Sequence, residues 1–269
     1  MSDATLTRSP GHLALIWRQL DYWVTVYKRT WKGSVITSFV MPLFYVLAMG
    51  VLLGGFINRG GANLDGAPSY LAFIAPGLVA AQAMQTATGE VTYPVMGMIK
   101  WHRTYYGMTA TPLGVGDVVS AQLLFVAFRV AASCGVFLVV LAPFGVFSSA
   151  PGVVAAFFVS VLVGLAFAAP IFAYSAAMKS EAGFAVIFRL VVLPLFLFSG
   201  AFFPISNLSA PLEWIARFTP LWHGVDLTRM LVLGTVDWPL ALVHVAYLAV
   251  MTAAGWWLAV RALTRRLEH

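Results

Sequence analysis

Long uncharged runs separated by short polar breaks dominate the pattern of this chain. Gly33 to Asn58 carries no charged residue. A helix rises 1.5 Å per residue, so a run of this length crosses ~30 Å of hydrocarbon with some tilt. The same reasoning predicts spans at about 33–57, 70–96, 118–141, 153–177, 184–203 and 239–260. The breaks at 58–69, 97–117, 143–152 and 178–183 are rich in glycine, proline or charge. The pattern therefore predicts an all-α integral membrane fold of six transmembrane helices.

Two segments do not fit a simple span. Residues 13–31 place Leu13, Ile16, Trp17, Leu20, Val24, Tyr27 and Trp31 at helical spacing, opposite Arg18, Asp21, Thr25, Lys28 and Lys32. A basic polar face against a Trp-rich apolar face predicts a helix lying in the membrane interface; a cytosolic helix packed on a partner is the other reading. Residues 204–238 mix Leu212, Trp214, Ile215, Phe218 and Trp222 with Glu213, Arg217, Asp226 and Arg229. This predicts two short helices broken at Pro220, a hairpin dipping partway into the outer leaflet. The expected organisation is an interface helix at 1–32, one transmembrane domain at 33–262 and a cytoplasmic tail at 263–269.

Composition agrees. Of 269 residues, 61% are hydrophobic and 10% charged, against roughly 25% charged in ordinary globular domains. This excludes a soluble enzyme. The net charge of +6 sits mostly at the ends of apolar runs, which argues for orientation in a membrane rather than nucleic-acid binding. Arg8, Arg18, Lys28, Arg29, Lys32, Lys100, Arg103, Lys179, Arg261, Arg265 and Arg266 fall on one side if there are six spans. Both termini are then expected in the cytoplasm. The first residues are interrupted by charge and do not read as a signal peptide.

Chemistry for catalysis is missing from the pattern. Lys179-Ser180 follows Met178 where a phosphate-binding loop needs glycine. The histidines at 12, 102, 223, 244 and 269 show no ligand spacing. Cys134 stands alone, so no disulfide forms within the chain. No metal site and no cofactor are expected in this chain. It moves or anchors something, driven by an ion gradient or by a partner.

Three stretches carry a resemblance: residues 74–119 (IAPGLVAAQAMQTATGEVTYPVMGMIKWHRTYYGMTATPLGVGDVV), 195–208 (LFLFSGAFFPISNL) and 218–234 (FTPLWHGVDLTRMLVLG). In this order they resemble the ABC-2 type permease family, in the branch of the nodulation lipo-oligosaccharide and daunorubicin-type export permeases. The resemblance implies a permease subunit of an ABC exporter in a bacterial plasma membrane. It implies pairing with a second permease copy or a sister permease. Two cytosolic ATPase subunits would hold ATP and magnesium.

The resemblance also implies that residues 97–113 form a coupling helix docking on the ATPase, with Lys100, Trp101, His102, Arg103, Tyr105, Tyr106 and Pro112. From the residues alone, this is a basic cytoplasmic loop anchored by interfacial aromatics. The resemblance places the first and fifth spans along the substrate path, where Phe39, Phe44, Tyr45, Phe198 and Phe202 suit an amphipathic drug, lipid or glycolipid. Packing phenylalanines are the plainer reading. His223, Asp226 and Arg229, three residues apart, are expected to form an ion-pair ladder in the extracellular hairpin, as a structural cap or at the exit. Glu90 and Arg129, charges within spans, are expected to pair and lock spans two and three. An ion-coupled secondary transporter would show inverted repeats and several intramembrane carboxylates, and a membrane scaffold would need no coupling loop.

Overall fold

A computed structural model describes residues 11–60 and 64–268, without the side chains of 30–39, 41 and 42. Arg8, His269 and the Phe39 side chain lie outside the described residues. Among these, every regular element is helical: α1 (His12–Tyr45), a π-helical stretch (Val46–Leu53), α2 (Gly54–Arg59), α3 (Tyr70–Val91), α4 (Tyr93–Lys100), α5 (Thr104–Thr109), α6 (Val115–Leu141), α7 (Ala150–Ala177), α8 (Ala182–Ile187), a second π-helical stretch (Phe188–Val192), α9 (Leu193–Phe198), α10 (Ala210–Arg217), α11 (Pro220–Leu233) and α12 (Trp238–Leu267).

The helix starts follow from local chemistry. Ser149, Thr219 and Asp237 accept hydrogen bonds from the backbone N–H groups of Gly152, Trp222 and Leu240, and each helix carries proline in its first turn. Those N–H groups have no partner inside their helices, and proline costs nothing where an N–H would be idle. Gly234 ends α11 at φ 73°, a left-handed conformation that suits glycine.

Among the described residues, three elements are long and apolar enough to cross a membrane: Val115–Phe144, Ala150–Ala177 and Trp238–Leu267. Leu43–Arg59 and Ala182–Phe198 are shorter apolar helices. α3 is different. It carries Gln82, Thr86, Thr88 and Glu90, and most of its residues are buried against α6, α7 and α11. A central helix screened by protein does not need a lipid-compatible surface. Its Gln82 donates to Ser133 of α6 at 2.8 Å, the kind of polar contact that joins helices in lipid.

Several boundaries differ from the sequence expectation. α1 does not end at residue 32; it continues unbroken past Gly33, and its first half runs along α6. His12 meets Asp117 at 3.0 Å, Trp23 packs on Phe125, and Tyr27 packs on Phe125 and Phe128. Leu13 and Trp17 point outward, Trp17 at 66% exposure, while Gln19 is buried. α12 runs on without a break through the last predicted span to Leu267. The second apolar run breaks at Thr92 and restarts as α4. Residues 204–238 form two helices, α10 and α11, separated at Phe218–Thr219.

One end of the fold gathers the α2–α3 loop, the α6–α7 turn and the segment after α9. Tyr70 donates its hydroxyl to the Phe202 carbonyl at 3.1 Å, and Ser148 donates its backbone N–H to the Val232 carbonyl at 3.0 Å. The other end gathers the α4–α5 turn, the α7–α8 turn and the end of α12. Lys100 meets Glu181 at 3.0 Å and Tyr106 donates to the Arg266 carbonyl at 3.3 Å.

Candidate functional site

The α4–α5 turn is built by two features. Trp101 folds its ring over Gly97, and the backbone N–H groups of Trp101 and His102 both donate to the Gly97 carbonyl. Arg103 then adopts φ 51°, left-handed for a non-glycine residue, and reverses the chain into α5. Such a conformation costs about 1 kcal/mol, which the surrounding hydrogen bonds hold in place.

The turn presents Trp101 (56% exposed), His102, Arg103 and Tyr106 at the surface. Pro112 is exposed in the loop before α6. Tyr105 is a correction to the expected docking set. It is fully buried, stacked on Phe172 of α7 with ring centroids 6.3 Å apart. It anchors α5 and offers no surface. Beside the turn lies a cavity of about 600 Å³ lined by Lys100, Arg103, Tyr106, Arg266 and Glu268. The end of α12 thus completes this basic cup, a contribution that sequence spacing does not reveal.

The hydrogen bond from Lys100 holds the Glu181 carboxyl below its usual range. A carboxylate depressed in the folded state stabilises above its ordinary pKa of ~4.5, and this is lost as pH falls through the folded value. Both partners are partly exposed, so the effect is small. The thermal midpoints of the wild type and Lys100→Met are therefore expected to lie close together near neutral pH. The gap between them should narrow further as pH drops below about 4, which thermal unfolding in detergent across pH checks.

Glu90 and Arg129 do pair, Nε to Oε1 at 2.8 Å, and the guanidinium lies 4.5 Å over the Tyr27 ring. The pair ties α3 to α6, and Tyr27 adds α1 to the same contact.

The expected His223–Asp226–Arg229 ladder is not formed. His223 instead lies against His244 of α12, Nδ1 to Nδ1 at 2.6 Å, and His244 Nε2 meets Asp226 at 3.1 Å. The consistent assignment has His223 donating to His244 and His244 donating to Asp226. Arg229 turns elsewhere: it donates to the carbonyls of Gly200 at 2.6 Å and Phe73 at 3.3 Å, and lies over the Phe73 ring. These residues fasten α11 to α12, to α3 and to the chain after α9. Spacing on one helix favoured a local ladder; buried partners on neighbouring helices won. His244 was missed, and its only signal was a lone polar side chain in an apolar run.

The aromatic residues of the expected path separate. Tyr45 meets Phe196, which meets Phe202, at 6.2 and 4.9 Å between centroids. Phe44 is exposed. Phe198 lines an apolar cavity of about 420 Å³ with Leu190, Pro194, Leu212 and Ile215. The two π-helical stretches lie in the elements that Tyr45 and Phe196 join. Such turns recur at functional positions in helices.

The chain is similar to known proteins over most of its length. Residues 13–233 match the family described as ABC-2 type transporter. Nodulation protein J of Rhizobium leguminosarum bv. trifolii is 33% identical over 254 residues, covering 91% of this chain and 94% of that protein. Nodulation protein J of Rhizobium leguminosarum bv. viciae is 31% identical, covering 99% of each. Nodulation protein J of Rhizobium meliloti is 30% identical, covering 91% and 94%. The chain belongs to the ABC-2 type transporter family and is a membrane transport subunit.

Proposed function

We propose that the chain is the permease half of a bacterial ABC exporter, docking on a separate cytosolic ATPase through the α4–α5 turn. The observation that carries this reading is the turn itself. It holds Trp101, Arg103 and Tyr106 outward on a left-handed reversal, beside basic groups from α4 and α12. ATP-driven closure of two ATPase subunits would push this turn and shift the packing of the first and fifth membrane elements, where the π-helical stretches lie. This is switching between two packings, each favoured by one nucleotide state.

The apolar elements Leu43–Arg59 and Ala182–Phe198, together with α3–α4, α6, α7 and α12, supply six spans in this proposal, with α10 and α11 as a hairpin in the outer leaflet. The basic α4–α5 turn, Lys179 and the end of α12 then face the cytoplasm. Two copies, or one copy and a sister permease, complete the pathway. An amphipathic drug, lipid or glycolipid suits the aromatic cluster of Tyr45, Phe196 and Phe202. In a Cys134→Ala background, Asn207→Cys is expected to react with a membrane-impermeant maleimide in intact cells, and Thr111→Cys only after lysis.

The test of function is a mild-detergent pull-down of the tagged chain from its native membranes. The expected result is co-purification of a cytosolic ATPase with vanadate-sensitive hydrolysis. If the chain comes down alone without activity in detergent and nanodiscs, an ion-coupled carrier replaces this reading, and pH and sodium gradients become the driving forces to try.

A further inference from the structure

α3 packs against α6, α7 and α11, and most of it is buried. Beyond its first turn, its accessible surface is one narrow strip. Gln85 and Gly89 are exposed, and Gln82, Thr86 and Glu90 are half-buried. These positions recur at three- and four-residue steps, so they share one face of the helix. Apart from the glycine, every residue of the strip is polar. The other long helices behave oppositely. In the middle of α6, α7 and α12 the exposed residues are apolar, Leu124, Phe128, Phe158 and Val250 among them. Those faces suit lipid, and the strip on α3 does not.

The strip lies at membrane depth. Gln85 sits midway between Tyr70, where α3 begins, and Lys100, where α4 ends, about 22 Å from each at 1.5 Å per residue. With the α4–α5 turn in the cytoplasm, as in the proposed orientation on which this inference rests, that is close to the bilayer centre. Gln82 satisfies its Nε2 on Ser133 and Thr86. Gln85 has no hydrogen-bond partner among the described residues. An amide turned to hydrocarbon gives up its hydrogen bonds to water and gains none, so polar side chains at this depth face water or protein.

The two ends of the strip decide between water and protein. Toward the cytoplasm it runs into charge. Glu90, with Pro94 and Met98 of α4, lines a cavity of about 220 Å³ that Arg129 also lines. The two charged side chains each stay about one-fifth exposed, and an accessible ion pair at this depth is hydrated rather than bathed in hydrocarbon. Toward the other end the strip stops. Leu78 and Val79 are buried, and the backbone at Gly77 presses on Ala201, where a Cβ would come within 2.7 Å of the Ala201 Cα. A polar strip that merges with a hydrated ion pair on one side and is sealed by packing on the other has the form of a blind aqueous recess.

We propose that the strip of Gln82, Gln85, Thr86 and Gly89 is the wall of a water-filled vestibule that opens to the cytoplasm and ends at the membrane centre. This brings α3 into a path otherwise assigned to the first and fifth membrane elements, and presents neutral donors and acceptors there.

The test labels the full-length chain in native membrane vesicles, without nucleotide, using a membrane-impermeant methanethiosulfonate. The reagent attacks thiolates and so reports hydrated cysteines. In a Cys134→Ala background, with the cytoplasmic side facing the medium, Gln85→Cys and Gly89→Cys are expected to react at least tenfold faster than Val250→Cys. Val250 lies near the middle of α12 on an apolar, exposed face. In vesicles of the opposite orientation neither is expected to outpace Val250→Cys. A Cβ at Gly89 meets nothing within 4 Å, so that variant keeps the packing, and labelling after denaturation shows that each thiol is present. Rates at both positions equal to that of Val250→Cys overturn the proposal. A disulfide between two copies through Gln85→Cys, with the reagent excluded, also overturns it and assigns the strip to a contact between copies. Labelling from the outer side alone overturns the cytoplasmic opening. Co-purification of the ATPase is a separate readout. Slow labelling where the ATPase is still bound leaves the permease reading standing, and fast labelling without any ATPase leaves the vestibule standing.

Discussion

Replacing Gly255 with leucine is expected to abolish accumulation of folded protein. α12 and α7 make the most extensive helix contact in the fold, and Gly255 sits where the two backbones meet. A Cβ at Gly255 would lie 2.6 Å from both the Cδ and the backbone N of Pro170, and 2.9 Å from the Ala169 carbonyl carbon. These are backbone and ring atoms, so no flexible side chain can yield. In lipid the apolar effect does not drive helices together; close backbone approach through small residues does. Overpacking usually costs about 1–3 kcal/mol, and at an immovable contact it exceeds that range. Fluorescence-detected size exclusion is expected to show a monodisperse peak for wild type, a reduced one for Gly255→Ala and none for Gly255→Leu. Val250→Leu on the exposed face of the same helix should match wild type.

The second large effect is expected at Arg129. Its removal leaves the Glu90 carboxylate without its partner and leaves Tyr27 without the overlying guanidinium. Breaking a buried ion pair from one side costs about 3–5 kcal/mol, whereas removing both charges is often close to neutral. Each side chain here is about one-fifth exposed, so the lower end of that range is expected. Arg129→Leu should therefore unfold at clearly lower temperature in nanodiscs than the double variant Glu90→Leu with Arg129→Leu. If the single and double variants unfold together, the pair contributes nothing and α3, α6 and α1 are joined by packing alone.

The sequence was readable where the physics is local. Ser149, Thr219 and Asp237 with their prolines mark helix starts, and Gly234 marks an end. Glu90 and Arg129 were also readable, because two opposite charges in successive apolar runs have few ways to avoid a large cost except each other. The α4–α5 turn was legible as basic and aromatic.

Which polar side chains are buried was the less legible part. Leu13 and Trp17 belong to the apolar face expected at the membrane interface, whereas Gln19 carried no signal of burial. Here Trp17 is exposed and Gln19 is buried, because an apolar side chain loses nothing by facing lipid. The helix at α3 was expected from its apolar run, but its burial by protein around Gln82, Thr86 and Thr88 was not, nor was Tyr105, which lies in the core against Phe172. His244 was invisible for another reason. Its partners His223 and Asp226 lie on a different helix, and no spacing along α12 points to them.

The central claim is that the α4–α5 turn is where an ATPase docks, and disulfide or bismaleimide crosslinking in native membranes tests it most directly. In a Cys134→Ala background, Arg103→Cys and Tyr106→Cys are expected to crosslink to a cytosolic ATP-binding protein, with yield altered by ATP and vanadate. Asn207→Cys, at the opposite end of the fold, is expected to give no such product. Crosslinks to an ATP-binding protein from neither turn position, or equally from Asn207→Cys, would contradict the claim.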